Sequence, residues 1–156
     1  MNQRLDYAKA SPAGMKAMLG LEAHVRGCGL ELSLLELVKM RVSQINRCAY
    51  CLDMHSKDAR AAGETEQRLH VLAAWREAPF YSPRERAALA WAEAVTLVSE
   101  NDLPDALYDE VRAQFDEQAL VNLTYAIITI NSWNRLAIGF RAEVGNYQPA
   151  PTPTPA

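Results

Sequence analysis

The sequence has little of what marks secreted or membrane proteins. It contains only three cysteines in 156 residues, an odd number and too few for the disulfide framework of a secreted domain. Residues 1–6 lack the apolar stretch of a secretory signal, and the most apolar run, residues 125–130, is far shorter than a membrane span. We therefore expect a soluble, cytoplasmic protein. In that reducing compartment a close cysteine pair indicates redox catalysis or metal binding more often than a structural bond.

Positive charge is also scarce. The chain carries 16 basic and 19 acidic side chains, which gives a formal net charge of −3. Such a chain has no basic field to hold a phosphate backbone or an anionic membrane surface. We expect neither nucleic acid nor a membrane among its partners.

Strand signals are nearly absent as well. The sequence shows no sustained alternation of apolar and polar residues and no Asn-Gly or Asp-Gly hairpin turn, whereas helix starts and stops recur. Hydrophobic residues make up 49% of the chain, enough for one core but not for two. The sequence therefore predicts an all-α fold, a compact bundle of about six to seven helices in a single domain over residues 1–146.

Capping patterns predict where the helices begin and end. Ser11-Pro12 and Ser82-Pro83 each place a cap before a proline at the first helical position, and Ser33 and Glu36 have capping-box spacing. The proline-rich residues after Gly145 have nothing to bury, so we expect a disordered tail over residues 147–156. The predicted helices are roughly 12–26, 33–46, 48–63, 65–78, 83–98, a short one after Pro104, and 120–144.

The segment from Glu36 to His55 carries the candidate chemistry. Cys48 and Cys51 are three residues apart at the predicted start of the third helix, and His55 lies one turn beyond Cys51. On a helix the two thiols can meet and the imidazole can reach Cys51, while the helix N-terminus stabilises a thiolate. A thiol peroxidase needs this combination. One thiolate attacks the peroxide and becomes a sulfenic acid, which condenses with the second thiol to a disulfide that an external dithiol reduces.

The two cues for the attacking sulfur disagree. The helix end favours Cys48 as the more acidic thiol, whereas the histidine four residues on favours Cys51. We weight His55, because a side chain within hydrogen-bond reach can both take the proton and hold the thiolate. Glu36 is open to two interpretations: a proton-handling group of the site, or simply the third position of the capping box with Ser33.

The stretch ELVKMRVSQINRCAYCLDMH, Glu36 to His55, resembles the signature of the carboxymuconolactone decarboxylase and alkylhydroperoxidase D superfamily. Similarity to its alkylhydroperoxidase D-like branch extends over roughly residues 15–145. The resemblance implies an all-α antioxidant protein that assembles as a homotrimer or homohexamer and reduces hydrogen peroxide or alkyl hydroperoxides. The implied partners are the hydroperoxide and a dithiol reductant such as a lipoyl- or thioredoxin-like protein.

The resemblance also implies a role for each site residue. Cys51 matches the cysteine that becomes the sulfenic acid, and Cys48 matches its resolving partner and proton donor. His55 and Glu36 match the relay that ionises Cys51. Alkylhydroperoxidase D has a histidine between its cysteines where this chain has Tyr50, which can act as an auxiliary hydrogen-bond donor but is a poor base at neutral pH.

Other interpretations of the cysteine pair compete with a peroxidase. The pair can pass electrons to a partner protein as a disulfide relay or redox sensor with no preferred peroxide. The chain can instead follow the lactone-decarboxylating branch of the superfamily, which leaves both cysteines without a role. The cysteines can also be small buried hydrophobes.

A zinc site is a further alternative. The cysteine pair and His55 supply three ligands, but a structural zinc needs a fourth, and the sequence has no second CxxC or HxxxH. The candidates for a fourth ligand are Cys28, His24 and His70. We expect no metal and no organic cofactor, and no function for Cys28, which lies between two glycines at a predicted helix end.

Overall fold

The computed structural model describes residues 2–149. These residues form eight α-helices and no strand, which confirms the all-α prediction. The helices are α1 (Tyr7–Ala10), α2 (Pro12–Gly27), α3 (Leu32–Asn46), α4 (Ala49–Ala61), α5 (Glu66–Val71), α6 (Pro83–Thr96), α7 (Asp105–Arg112) and α8 (Glu117–Phe140). The prediction missed α1, because four residues are too few for apolar periodicity to reveal. Of the predicted tail, residues 150–156 lie outside the described part of the chain.

Two helices begin at proline, as predicted. Ser82 forms a complete capping box at the start of α6: its hydroxyl accepts from the Glu85 N–H at 3.2 Å, and the Glu85 carboxylate accepts from the Ser82 N–H at 2.8 Å. Ser11 holds the cap position of α2 but makes no side-chain capping hydrogen bond. At α2 the proline, whose fixed φ suits a first helical turn, therefore marks the start better than the serine hydroxyl does.

The predicted capping box between Ser33 and Glu36 is wrong. Helix α3 begins at Leu32, with Glu31 at the cap position and no side-chain capping hydrogen bond. Ser33 therefore lies inside the first turn. The Glu36 carboxylate points to α4, where it accepts a hydrogen bond from His55.

Two predicted helices end earlier than expected. The helix that Thr65 caps stops at Val71 and continues as a 3₁₀ turn over Leu72–Ala74. Helix α8 ends at Phe140, because Arg141 adopts a left-handed backbone with φ 55° and its N–H closes the last turn. Hydrophobic periodicity carries no information about such a backbone reversal, since the apolar residues continue beyond it.

Helix α3 lies at the centre of the bundle and packs against α4, α6 and α8. Apolar side chains of α3 and α8, such as Val38 and Ile127, join both Cys48 and Cys51 in the larger of two hydrophobic clusters. The start of α4 is therefore held between two long buried helices, which fixes the position of the cysteine pair. Within residues 2–149 no helix has both the length and the apolarity needed to cross a membrane.

Candidate active site

The cysteine pair lies at the turn between α3 and α4. Arg47, with φ 58°, ends α3 in a left-handed conformation and reverses the chain, so that Cys48 becomes the N-cap residue of α4. The Cys48 Sγ accepts the N–H of Cys51 at 3.4 Å. The two sulfurs are joined as a disulfide across a Cα–Cα distance of 5.4 Å, and each cysteine is 1% exposed. The two sulfurs are therefore in contact, as the sequence spacing predicted.

A polar network fixes the end of α3 just before this turn. The Asn46 side-chain amide donates to the Asn131 and Asn134 side chains of α8, at 2.9 and 2.8 Å. Asn134, which is fully buried, in turn donates to the Ser43 hydroxyl at 3.1 Å. These bonds satisfy polar groups that would be costly if left unpaired in the core. They tie α3 to α8 where the chain turns toward Cys48.

His55 forms a buried pair with Glu36 one turn beyond Cys51. Its Nδ1 lies 2.8 Å from Glu36 Oε2, and the His55 ring is 2% exposed. Because the carboxylate accepts from Nδ1, the nitrogen that remains for proton exchange with a sulfur is Nε2. Cys51 and His55 line the same cavity. Both residues that the resemblance assigns to the relay therefore lie together.

A buried lysine connects this pair to α2. Lys39, 1% exposed, places its ammonium 2.6 Å from Glu22 Oε1 and 3.9 Å from Glu36 Oε1. Burial by itself raises the pKa of the Glu22 carboxyl, but the Lys39 ammonium and Arg26 outweigh that effect and leave the pKa below its ordinary value. An isolated buried charge is costly, so each of these groups depends on its partners. Glu22, Lys39, Glu36 and His55 thus form one continuous polar network.

Asp58 lies one turn beyond His55 on α4. One of its carboxylate oxygens accepts from the Tyr147 hydroxyl at 2.7 Å, while Oδ2 is buried with no hydrogen-bond partner among the described residues. Ligand atoms of Glu36, His55 and Asp58 lie within 4.8 Å of one another, a donor set of the kind that divalent metals bind. This cluster contains none of the cysteines considered for zinc.

Two pockets meet at the disulfide. Cys51 and His55 line a cavity of about 290 Å³ whose walls are mostly apolar and aromatic. A second pocket, of about 500 Å³, is lined by Cys48 and does not include Cys51. Tyr50 and Ala137 line both pockets and separate them. The sequence could not show that the two sulfurs border different spaces.

The structure brings the four predicted catalytic residues together, with Tyr50 beside them. It does not bring the other candidate metal ligands to the site. His24 pairs with the Asn122 side chain at 3.3 Å, the Asn122 amide donates to the Cys28 carbonyl at 3.2 Å, and His70 lines a separate surface pocket.

Sequence reasoning missed four polar residues of the site: Glu22, Lys39, Asp58 and Tyr147. Lys39 lies three residues after Glu36 on α3, and this spacing was a signal that the two opposite charges share one face of the helix. Asp58 lies three residues after His55 and shares its face of α4. Tyr147 belongs to the segment predicted as a tail, and nothing in the sequence signals its contact with Asp58.

Fold and site together define an all-α protein with a helix-borne cysteine pair next to a buried histidine–carboxylate pair. Residues 12–94 match the Carboxymuconolactone decarboxylase family model. The chain is also 48% identical over 138 residues to the uncharacterised protein YdfG of Bacillus subtilis (strain 168), covering 88% of this chain and 94% of YdfG. The chain therefore belongs to the carboxymuconolactone decarboxylase family, as an AhpD-like member.

Solved structures agree with this assignment. A protein of unknown function from Agrobacterium tumefaciens, described as a candidate antioxidant defence protein AhpD, superposes with a TM-score of 0.90 at 44% identity, over 94% of this chain and 100% of that one. A peroxidase-related protein from Ralstonia eutropha JMP134, described as an alkylhydroperoxidase AhpD core, gives a TM-score of 0.79 over 90% of this chain and 75% of that one. At 19% identity this second likeness concerns the fold alone. The predicted resemblance is confirmed.

Proposed function

We propose that the protein is a thiol-dependent peroxidase that reduces hydrogen peroxide or alkyl hydroperoxides through Cys51 and Cys48. One observation carries the proposal: the buried His55–Glu36 pair shares a cavity with Cys51, whose sulfur is bonded to Cys48. A purely structural disulfide has no use for a proton acceptor beside one of its sulfurs. A peroxidase requires one.

The reaction can be written with all atoms accounted for. His55 takes the Cys51 proton, and the resulting thiolate attacks the terminal oxygen of ROOH. The O–O bond breaks, Cys51 becomes a sulfenic acid, and the departing alkoxide takes the Cys48 proton. The Cys48 thiolate then attacks the Cys51 sulfur, and hydroxide leaves with the proton held on His55. Two thiols and ROOH give one disulfide, ROH and water.

The cavity beside Cys51 supports a small hydroperoxide with an alkyl group. Its volume of about 290 Å³ is at the lower end of the range for small-molecule sites. Met15, Leu19 and Met54 supply apolar walls, and Trp133 a flat aromatic one. An alkyl chain gains about 0.8 kcal/mol for each methylene that it buries. We therefore expect alkyl hydroperoxides to react faster than hydrogen peroxide.

Single-turnover kinetics test the proposal. Reduced protein is mixed with tert-butyl hydroperoxide, and peroxide loss and disulfide formation are followed together, the latter by mass spectrometry as a loss of two hydrogens. Cys51→Ser should abolish peroxide consumption, whereas Cys28→Ser, which removes a cysteine outside the site, should retain it. If wild type forms the disulfide with an oxidised dithiol partner but not with peroxide, the protein is a relay. If Cys51→Ser retains full peroxide turnover, the cysteine mechanism is wrong.

The proposal includes a homotrimer or homohexamer in the cytoplasm, where thiol reductants are abundant. Helix α8 exposes three apolar residues at i, i+4 and i+7: Val121, Tyr125 and Ile128. In a monomer this apolar stripe remains exposed to water, whereas a second copy of the chain can bury it. Light scattering on wild type should give the mass of three or six chains. Ile128→Glu should lower that mass, and a wild-type monomer would contradict this part of the proposal.

A further inference from the structure

The two cysteines of the disulfide line different pockets. Cys51 borders the cavity that contains His55, and Cys48 borders the pocket of about 500 Å³. Tyr50 and Ala137 form the wall between them. A molecule in the second pocket can therefore meet Cys48 without entering the cavity where His55 lies.

The Cys48 pocket is bordered by two arginines. Arg47 precedes Cys48, and Arg141 follows α8; the acidic side chain among the described lining residues is Glu143. Among residues 2–149 neither guanidinium has an ion-pair or hydrogen-bond partner, unlike Arg41 or Arg84, which pair with carboxylates. On a chain with a net charge of −3, the pocket has locally positive walls.

The backbone of both arginines is unusual in the same way. Arg47 and Arg141, with φ of 58° and 55°, are the non-glycine residues of the described chain that have positive φ. Each ends a helix at a position that glycine occupies without steric cost, whereas other L-residues pay about 1 kcal/mol or more. The negative end of the helix dipole offsets part of this cost. The helix dipole does not explain why both residues border the same pocket. A function of the two arginine side chains in that pocket explains the unfavourable backbone better.

We propose that the Cys48 pocket binds the reductant, and that Arg47 and Arg141 select a small thiol that carries a carboxylate. The inference rests on the proposed function, since it assigns the step that returns the disulfide to two thiols. Guanidinium groups bind carboxylates through paired hydrogen bonds, and a pocket of this volume accommodates a small molecule. The chemical class of the reductant is thus an anionic thiol or dithiol.

The chemistry assigns a different sulfur to each substrate. The thiolate of the reductant attacks Cys48 Sγ, the Cys48–Cys51 bond breaks, and its electron pair leaves on Cys51. His55 lines the cavity of Cys51 and not the pocket of Cys48, which favours departure from Cys51 over departure from Cys48. A second reductant thiol attacks the first reductant sulfur and releases Cys48 as a thiolate, which takes a proton. Two reductant thiols become one disulfide, and the protein disulfide becomes two thiols.

A series of thiols that differ in charge tests the inference. Oxidised protein is reduced anaerobically with 3-mercaptopropionate, 2-mercaptoethanol or cysteamine, which are anionic, neutral and cationic, and reduction is followed by tryptophan fluorescence. The rates are expressed as the ratio of the anionic to the neutral thiol and of the cationic to the neutral thiol. Comparison of variant and wild type for the same thiol removes the differences in intrinsic thiol reactivity.

The variants should shift these ratios in opposite directions. The double variant Arg47→Gln/Arg141→Gln should lower the anionic-to-neutral ratio by about tenfold and raise the cationic-to-neutral ratio. Glu143→Gln should raise the anionic-to-neutral ratio by about threefold. Arg112→Gln removes the same charge from α7, away from the pocket, and should change neither ratio. Arg47→Gly repeats the first change with a residue that suits the left-handed backbone, in case the double variant folds poorly.

Three outcomes would overturn the inference: ratios that stay constant in every variant, equal slowing with all three thiols, or a shift in Arg112→Gln as large as in the double variant. Its failure is distinguishable from failure of the proposed function. If wild type reacts with tert-butyl hydroperoxide but shows no charge preference, only the assignment of the Cys48 pocket is wrong. If wild type shows the charge preference but does not react with the hydroperoxide, the proposed peroxidase function is wrong instead.

Discussion

Replacing Glu36 by glutamine removes the negative charge from the His55 partner and keeps its shape. The pair is buried, and its atoms lie 2.8 Å apart, the distance of a charge-assisted hydrogen bond. Such bonds contribute about 1.5–3 kcal/mol, roughly twice a neutral one, so a neutral amide should lose about 1.5 kcal/mol. Since 1.36 kcal/mol is a factor of ten, the Cys51 thiolate paired with a protonated His55 becomes about tenfold rarer. The peroxide rate constant should fall by the same factor.

The assay is rapid mixing of reduced protein with tert-butyl hydroperoxide at neutral pH, followed by tryptophan fluorescence, to which Trp133 in the cavity contributes. The deficit should shrink as the pH rises, because solvent hydroxide can then remove the Cys51 proton without help. Glu31→Gln is the matched control, since it removes the same charge at the start of α3, where Glu31 pairs with Arg84 at 3.0 Å. A loss of less than twofold in Glu36→Gln, or a loss that is equal at every pH, would refute the relay.

Three further changes test other contacts of the site. Lys39→Met leaves the Glu22 carboxylate buried without its ammonium partner and should lower the free energy of unfolding by about 3 kcal/mol in urea titrations. Adding Glu22→Gln should restore part of the lost stability. A Lys39→Met variant as stable as wild type would contradict the buried ion pair. Arg47→Gly should raise the free energy of unfolding by about 1 kcal/mol, and lowered stability would contradict the argument from its backbone. Burial and the hydrogen bond to Asp58 raise the pKa of Tyr147 from 10.0 to about 12, so that this contact contributes stability below pH 10 and loses it as the pH rises toward 12. The difference in melting temperature between wild type and Tyr147→Phe should accordingly be constant below pH 10 and shrink above it; a difference that grows there would be inconsistent with the contact.

The parts of the site that sequence reasoning could predict are those set by one helix. Cys48, Cys51 and His55 lie within two turns of α4, and the spacing of three and four residues alone places them on one face. The end of α4 could also be predicted, because Gly63, with φ 96°, follows the helix as a left-handed cap residue. Local spacing is sufficient when all partners share one regular element.

Contacts between different helices could not be predicted from local residue spacing. Glu36 reaches His55 across the turn between α3 and α4, and the same residue fitted a capping box equally well from its spacing to Ser33. Only the family resemblance favoured the relay, and a resemblance gives no distance between Glu36 and His55. Tyr147 meets Asp58 across 89 residues of sequence, a pairing that depends on how α8 returns the chain to α4. Such pairings follow from the packing of the whole bundle.

The conflict between the two cues for the attacking sulfur disappears once the pockets are considered, because each cue concerns a different step of the proposed cycle. Cys51 needs a base when it attacks peroxide, and His55 is in its cavity. Cys48 needs stabilisation as a thiolate when it resolves the sulfenic acid and when the reductant leaves it. At the N-cap it accepts the Cys51 N–H and receives the positive end of the α4 dipole. The helix end therefore favours Cys48 for the same reason that the histidine favours Cys51: each sulfur is ionised at its own step, by the group that faces it.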